Sequence, residues 1–173
     1  MLLPKMVAMG PATLSNLRRP GETVAEEFSK ALKGKKFSDV SRRAKMIIMD
    51  LQGRYAILVH LKMTGQLIFF GKKELTKQIR LFNNAASPLV RLPNKSTHVI
   101  FEFTDGAKLF YNDFRQFGYL KLVTDKELPY VKELQNFGPE PLAADFTLPV
   151  LETILARRPN MLLKQFLLDP NLV

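Results

Sequence analysis

The sequence predicts an α+β fold, an antiparallel β-sandwich with flanking helices, and three observations lead there. Between residues 44 and 123, short runs rich in Val, Ile, Leu, Phe and Tyr are punctuated by turn residues at Gln52-Gly53, Thr64-Gly65 and Thr104-Asp105-Gly106. After Asp125 the pattern becomes helical, in "DKELPYVKEL", "LPVLETILARR" and "NMLLKQFLLD". With 46% hydrophobic residues in 173, the chain has enough apolar surface for one domain with a core and the beginning of a second. Strands first and helices after describe an α+β arrangement.

Residues 1–16 show no clean periodicity and are left unassigned. "TVAEEFSKALKGKK" reads as a helix with Thr23 and Glu26 as a capping box, Phe28 and Leu32 as an apolar i, i+4 pair, and Gly34 as the stop. "AKMIIMDLQ" and "YAILVHLKMTGQLIFF" are strand-like, and the second is too long for one strand, so a break is expected near Thr64-Gly65. Residues 71–96 form a long connection with six Lys or Arg and a single acid. A connection that long in a compact domain is functional or mobile as a rule. Residues 99–111 are a hairpin, and "FGYLKLV" adds another strand. The domain division expected is 1–135 for the sandwich and 136–173 for a linker and the start of a helical domain.

Charge narrows the partner. Lys plus Arg number 26 against 16 acids, a net charge of +10. Such an excess attracts polyanions at long range and favours nucleic acid or an anionic membrane. No run of 18 apolar residues occurs, so no membrane-spanning helix is expected. The absence of cysteine excludes a disulfide framework and a thiolate metal site within these residues, and fits a reducing, cytoplasmic location.

One stretch is odd for a plain sheet. The second strand of the hairpin runs out into Asn112-Asp113-Phe114-Arg115-Gln116-Phe117-Gly118. In extended chain, residues i and i+2 point to the same side. Arg115 and Phe117 would then form one cationic and apolar tip. On these residues alone the alternative is that Phe117 and Met63 belong to the core and Arg115 is a solvated strand end.

Four pieces in order, "SRRAK" (41–45), "HLKMTGQL" (60–67), "DFRQFGYL" (113–120) and "FGPEPL" (137–142), together resemble the formamidopyrimidine-DNA glycosylase and endonuclease VIII family of base-excision repair enzymes. The tail "LLKQFLLDPNLV" resembles the lead-in to that family's helix–two-turn–helix domain. The resemblance covers about residues 17–173. It implies a DNA glycosylase with AP lyase activity on oxidised purines, 8-oxoguanine and formamidopyrimidines, in double-stranded DNA carrying a damaged or abasic site. It also implies a monomer located with the nucleoid in the cytoplasm. By resemblance, Met63, Arg115 and Phe117 enter the duplex where the nucleotide is extruded. Lys45 matches a proton donor for β-elimination close to the DNA backbone, and His60 a phosphate-binding histidine. Arg158 and Lys164 match basic DNA-contacting positions. Each has a plainer alternative, as a surface lysine, a structural histidine or the exposed face of a helix.

Departures from the family carry expectations of their own. The family's nucleophile is an N-terminal proline followed by a glutamate, whose free amine attacks C1′ of the sugar. Here Pro4 is internal and Lys5 follows it. The family's zinc finger needs cysteines, so no cofactor is expected. The chain is therefore expected to be truncated at both ends and inactive alone. The alternative function is a non-catalytic module that binds damaged DNA.

Overall fold

The computed structural model describes residues 4–8, 24–73, 92–135, 137–169 and 171–172, and of residues 4–8, 24, 25 and 27 the backbone alone. Thr23 of the expected capping box and residues 74–91 of the basic connection lie outside the described residues.

Among the described residues, eight strands form two antiparallel four-stranded sheets. Strand β1 (Pro4–Ala8), β6 (Thr97–Phe103), β7 (Lys108–Asp113) and β5 (Gly65–Phe70) make one, in the order β1-β6-β7-β5. The other is β2 (Phe37–Arg43), β3 (Met46–Leu51), β4 (Tyr55–His60) and β8 (Tyr119–Thr124), in that order. Helix α1 (Val24–Leu32) ends before Gly34, which takes a left-handed φ of 77° and turns the chain into β2.

The main core lies between the sheets, built by the period-two alternation of strands. Met49, Leu51, Ile57, Val59, Leu120 and Leu122 face Val99, Phe101, Leu109 and Tyr111, and Phe28 and Leu32 of α1 close it. The expected i, i+4 pair is thus the buried stripe of α1. A second, smaller cluster covers the other face of β4, where Met46, Ala56, Leu58 and Val123 pack under Val131. Strand β4 is therefore buried on both faces, which is why its sequence is a continuous apolar run rather than an alternating one.

The structure corrects two expectations and extends a third. Residues Phe37–Arg43 form a strand that the pattern did not suggest. It is a bulged edge strand, mostly exposed, with only Phe37 and Val40 apolar, so no alternation marks it. "DKELPYVKEL" is not one helix. It splits into a 3-10 turn (Leu128–Tyr130) and a single helical turn, α2 (Lys132–Gln135). Pro129 supplies no N–H and would clash with the carbonyl four residues back. Val131 is extended there and drops its side chain into the second cluster. The long apolar run after Tyr55 does break where expected, but its halves β4 and β5 belong to different sheets.

Past residue 136, the loop 137–142 is tied to the β2–β3 turn. Glu140 binds Arg42 at 2.6 Å and Arg43 at 3.5 Å, and Arg43 also donates to the Gly138 carbonyl. Helices α3 (Leu148–Ala156) and α4 (Leu163–Leu168) follow, each with one buried residue, Ile154 and Phe166.

Leu32 is fully buried at the closed end of the core. Leu32→Ala should lower the unfolding free energy by about 2–5 kcal/mol. Leu142→Ala, at a position 85% exposed, should change it by less than about 0.5 kcal/mol. Urea unfolding checks both, and equal midpoints for the two variants would contradict this core.

Candidate nucleic-acid interface

The chain crosses between the sheets twice at one end of the sandwich. Strand β4 ends at His60, which pairs with Tyr119 at the start of β8. Strand β5 begins at Gly65, which pairs with Asp113 at the end of β7. The crossovers 61–64 and 114–118 are therefore neighbours, although 50 residues of chain separate them. Met63 lies on the first, Arg115 and Phe117 on the second.

These three side chains make one exposed tip. Met63 is 74% and Phe117 56% exposed, and Arg115 is exposed as well. The Arg115 guanidinium carbon stacks 4.6 Å from the centre of the Phe117 ring, and its Nη1 lies 3.3 Å from the Met63 sulfur. Arg115 and Phe117 meet for a different reason from the one expected. The strand stops at Asp113, and Gln116 adopts a left-handed φ of 57°, so a turn rather than an extended i, i+2 relation brings them together. Lys62, on the other crossover, is also left-handed, with φ of 52°. A non-glycine residue in that region costs roughly 1–2 kcal/mol. Surrounding contacts must therefore hold it.

Lys62 is held through its N–H bond to His60 Nδ1, and Gln116 through its N–H bond to Asp113. Asp113 is 1% exposed and receives donors from both crossovers. The Thr64 hydroxyl donates to Oδ1, as does the Arg115 backbone N–H at 3.2 Å. The Gly118 N–H donates to Oδ2 at 2.7 Å, with the Tyr111 hydroxyl at 3.4 Å from the same oxygen. Burial opposes the charged form, but the Thr64 hydroxyl and the N–H groups of Gly118, Arg115 and Gln116 outweigh it and hold the carboxyl below its usual range. Burial, then the Asp113 charge and its hydrogen bond, push the Tyr111 phenol up, so it stays a donor. Two glycines fit by having no Cβ. One on Gly118 would lie 2.8 Å from the His60 carbonyl oxygen, and one on Gly65 would lie 2.9 Å from Leu61 Cα.

His60 sits beside this tip. The Lys62 N–H donates to its Nδ1 at 3.1 Å, and its ring lies 5.7 Å from that of Tyr119. Burial, then the charges of Lys62 and Lys45, hold its pKa below 6.5. The neutral ring, accepting at Nδ1, carries its proton on Nε2 and offers it as a donor. Lys45 is exposed in the β2–β3 turn, directly before Met46, which pairs with His60. It therefore lies at the same end of the sandwich.

Lys45 also lines a groove of about 230 Å³ with Arg43, Leu142, Leu167 and Leu168. Lys164 is exposed on α4, four residues before Leu168 and so on the same face of that helix. Arg158 is exposed beyond α3, and its described side-chain contact is local, to the Arg157 carbonyl. The structure thus gathers Met63, Arg115 and Phe117 with His60 and Lys45, while Arg158 and Lys164 sit on the C-terminal helical segment. Sequence reasoning gave no role to Asp113, Thr64 or Lys62. The one available signal was an acid closing a strand whose middle, Leu109-Phe110-Tyr111, is apolar.

The tip, its flanking cations and the sandwich can be set beside known proteins. Residues 6–120 match the model of the formamidopyrimidine-DNA glycosylase N-terminal domain. The chain is 37% identical over 150 residues to a formamidopyrimidine-DNA glycosylase of Moorella thermoacetica, covering 86% of this chain and 47% of that one. It is 36% identical over 149 residues to the Pediococcus pentosaceus protein of the same name, covering 86% and 48%. The Lactococcus lactis enzyme, solved non-covalently bound to DNA containing an AP site, superposes with a TM-score of 0.70 at 25% identity, covering 99% of this chain and 56% of that one. The chain belongs to the formamidopyrimidine-DNA glycosylase family. It spans about half the length of the curated relatives it matches.

Because the folded His60 pKa is lowered, the unfolded chain binds the proton first, and this group subtracts stability as pH falls below 6.5. In an NMR titration of the two histidines, His60 should titrate below 6.5, and Lys62→Ala should move its midpoint upward. A wild-type midpoint above 6.5 would contradict the geometry.

Proposed function

We propose that this chain is the lesion-recognition part of a base-excision repair DNA glycosylase with AP lyase activity, acting on duplex DNA that carries an oxidised purine such as 8-oxoguanine or formamidopyrimidine. The observation that carries the reading is the exposed Met63–Arg115–Phe117 tip, whose three side chains touch one another. Extruding a nucleotide leaves a gap in the base stack, and apolar side chains recover part of the lost stacking. Met63 and Phe117 are the apolar members of the tip. The Arg115 guanidinium, planar and always charged, hydrogen-bonds the edge of the base left without a partner. His60, donating through Nε2, and Lys45 hold phosphates on either side and fix the register of the wedge. Lys45 is also placed to give a proton to a departing group during elimination. Lys164 and Arg158 extend the phosphate contacts along the C-terminal segment.

The relatives support this reading by name, and the Lactococcus lactis structures support it by the DNA in them, which contains an AP site or a FAPY-dG lesion. The excess of basic residues adds a salt-sensitive attraction to any duplex. We assign the protein to chromosomal DNA as a monomer; among the described residues no helix is long and apolar enough to cross a membrane. The family's zinc finger finds no thiolate ligands in these 173 residues, and among the described residues no cluster of three or more His, Asp or Glu stands ready to hold a metal ion.

A second reading, a non-catalytic damaged-DNA module, is favoured by one observation. Pro4 lies inside β1 opposite Phe103, so its nitrogen is an amide nitrogen of the sheet and not a free amine. A borohydride trapping assay on an abasic duplex separates the readings. With Pro4 acylated, any trapped adduct should map to a primary amine such as Lys45 and survive Pro4→Ala. A trapped adduct at any amine would eliminate the non-catalytic reading, and no adduct would eliminate lyase chemistry by this chain.

Binding tests what the two readings share. Arg115→Ala and Phe117→Ala should each weaken binding to a duplex with a tetrahydrofuran abasic site by about 5–150-fold, the range that losing one stacking or base-edge contact gives. Affinity for the intact duplex should change less than about twofold, since phosphate contacts carry it. Equal losses on both duplexes would sink the wedge.

A further inference from the structure

We infer that Asp113 is the positioning residue of the wedge, setting Met63, Arg115 and Phe117 in place before DNA arrives. The inference rests on the proposed function, because it explains how that wedge is built. Three features carry it.

First, the network is closed. The Thr64 hydroxyl donates its hydrogen to Asp113 and accepts from the Arg115 N–H at 3.2 Å, while that same N–H lies 3.2 Å from Asp113 Oδ1. Thr64 adjoins Met63, and Arg115 is itself a wedge residue. The carboxylate therefore ties the two crossovers to each other at the residues that carry the tip. Its second oxygen takes the Gly118 N–H directly after Phe117 and so fixes the far end of the turn.

Second, two of the four left-handed non-glycine residues among the described residues sit on the crossovers that Asp113 ties together; the other two, Ala44 and Arg54, lie in the β2–β3 and β3–β4 turns. Lys62 and Gln116 are both left-handed, one on each crossover, and such conformations persist only where the surroundings over-determine them. Third, there is no slack. A Cβ at position 118 would fall 3.1 Å from Asp113 Oδ2 as well as against the His60 carbonyl, so the turn has one way to close over the carboxylate. Two loops distant in sequence would otherwise have to be ordered when the duplex is gripped, and that ordering would be charged against binding.

Asp113 touches no DNA in this scheme, so its test must read positioning rather than fold. Thr64→Val removes only the hydroxyl and keeps the shape. Asp113→Asn keeps one acceptor but sets an amide N–H against an existing donor, either the Gly118 N–H or the Arg115 N–H and the Thr64 hydroxyl. Each variant, with Arg115→Ala for reference and at a temperature well below its own melting point, is titrated with duplexes carrying a tetrahydrofuran site opposite 2-aminopurine. Affinity for abasic over intact duplex and the 2-aminopurine fluorescence change are both read. Thr64→Val and Asp113→Asn should lower the abasic preference by about 5–10-fold and blunt the fluorescence change, leaving intact-duplex affinity within about twofold, as loss of preorganisation predicts. Thr64→Ser, which regains the hydroxyl, should restore both signals. If Asp113→Asn does not fold, Thr64→Val decides. If Thr64→Val keeps the full preference while Arg115→Ala loses it, Asp113 does not position the wedge. If Arg115→Ala keeps it too, the wedge reading fails and this inference falls with it.

Discussion

A single buried carboxylate joins two of the places where this chain passes from one sheet to the other, the crossovers 61–64 and 114–118. Burying a charge is unfavourable unless each oxygen is met by donors, and Asp113 is met by a hydroxyl, backbone N–H groups and a phenol. What results is a rim of the sandwich on which a thioether, a guanidinium and a benzyl ring stand out into solvent touching one another. A surface loop with such an apolar load would ordinarily fold it inward. Here the chain is pinned from beneath, and the interior is already filled by Tyr111, Val59 and Leu120.

The surrounding charges are arranged to suit a polyanion without neutralising one another at the rim. Arg42 and Arg43 are engaged by Glu140, away from the tip, where they fasten the 137–142 loop to the hairpin that carries Lys45. Lys45, Lys62 and Arg115 stay on the exposed side. Burial first, then the charges of Lys62 and Lys45, lower the His60 pKa and favour a neutral hydrogen-bond donor among cations. Attraction over distance and directional contact at close range thus come from different groups.

Much of the fold was legible in the sequence because its core obeys simple periods. Phe28 and Leu32 announced the buried stripe of α1, and the turn residues at 52–53 and 104–106 announced the hairpins. Strand β2 was hidden, since an exposed edge strand has no apolar face to betray it. The stretch 125–134 misled through its helical composition, although Pro129 stood in plain view. At the site, Arg115 and Phe117 were found as neighbours through an extended geometry that the turn does not have. Met63 could be joined to them only by resemblance, because their contact depends on two crossovers meeting. Asp113 was passed over for the same reason: its partners are gathered by topology from residues 64, 111, 115 and 118, and no spacing along the chain encodes that.

Strand β4, covered on one side by the inter-sheet core and on the other by the Val131 cluster, has a consequence for how the molecule tolerates change. Its four residues from Ala56 to Val59 offer no wet side on which a polar replacement could hide. The cap that covers it comes from residues 128–134, just where the sandwich hands over to the helical segment. Loosening that hand-over would wet the middle of the sheet, so the strands and the region that follows them share one fate rather than two.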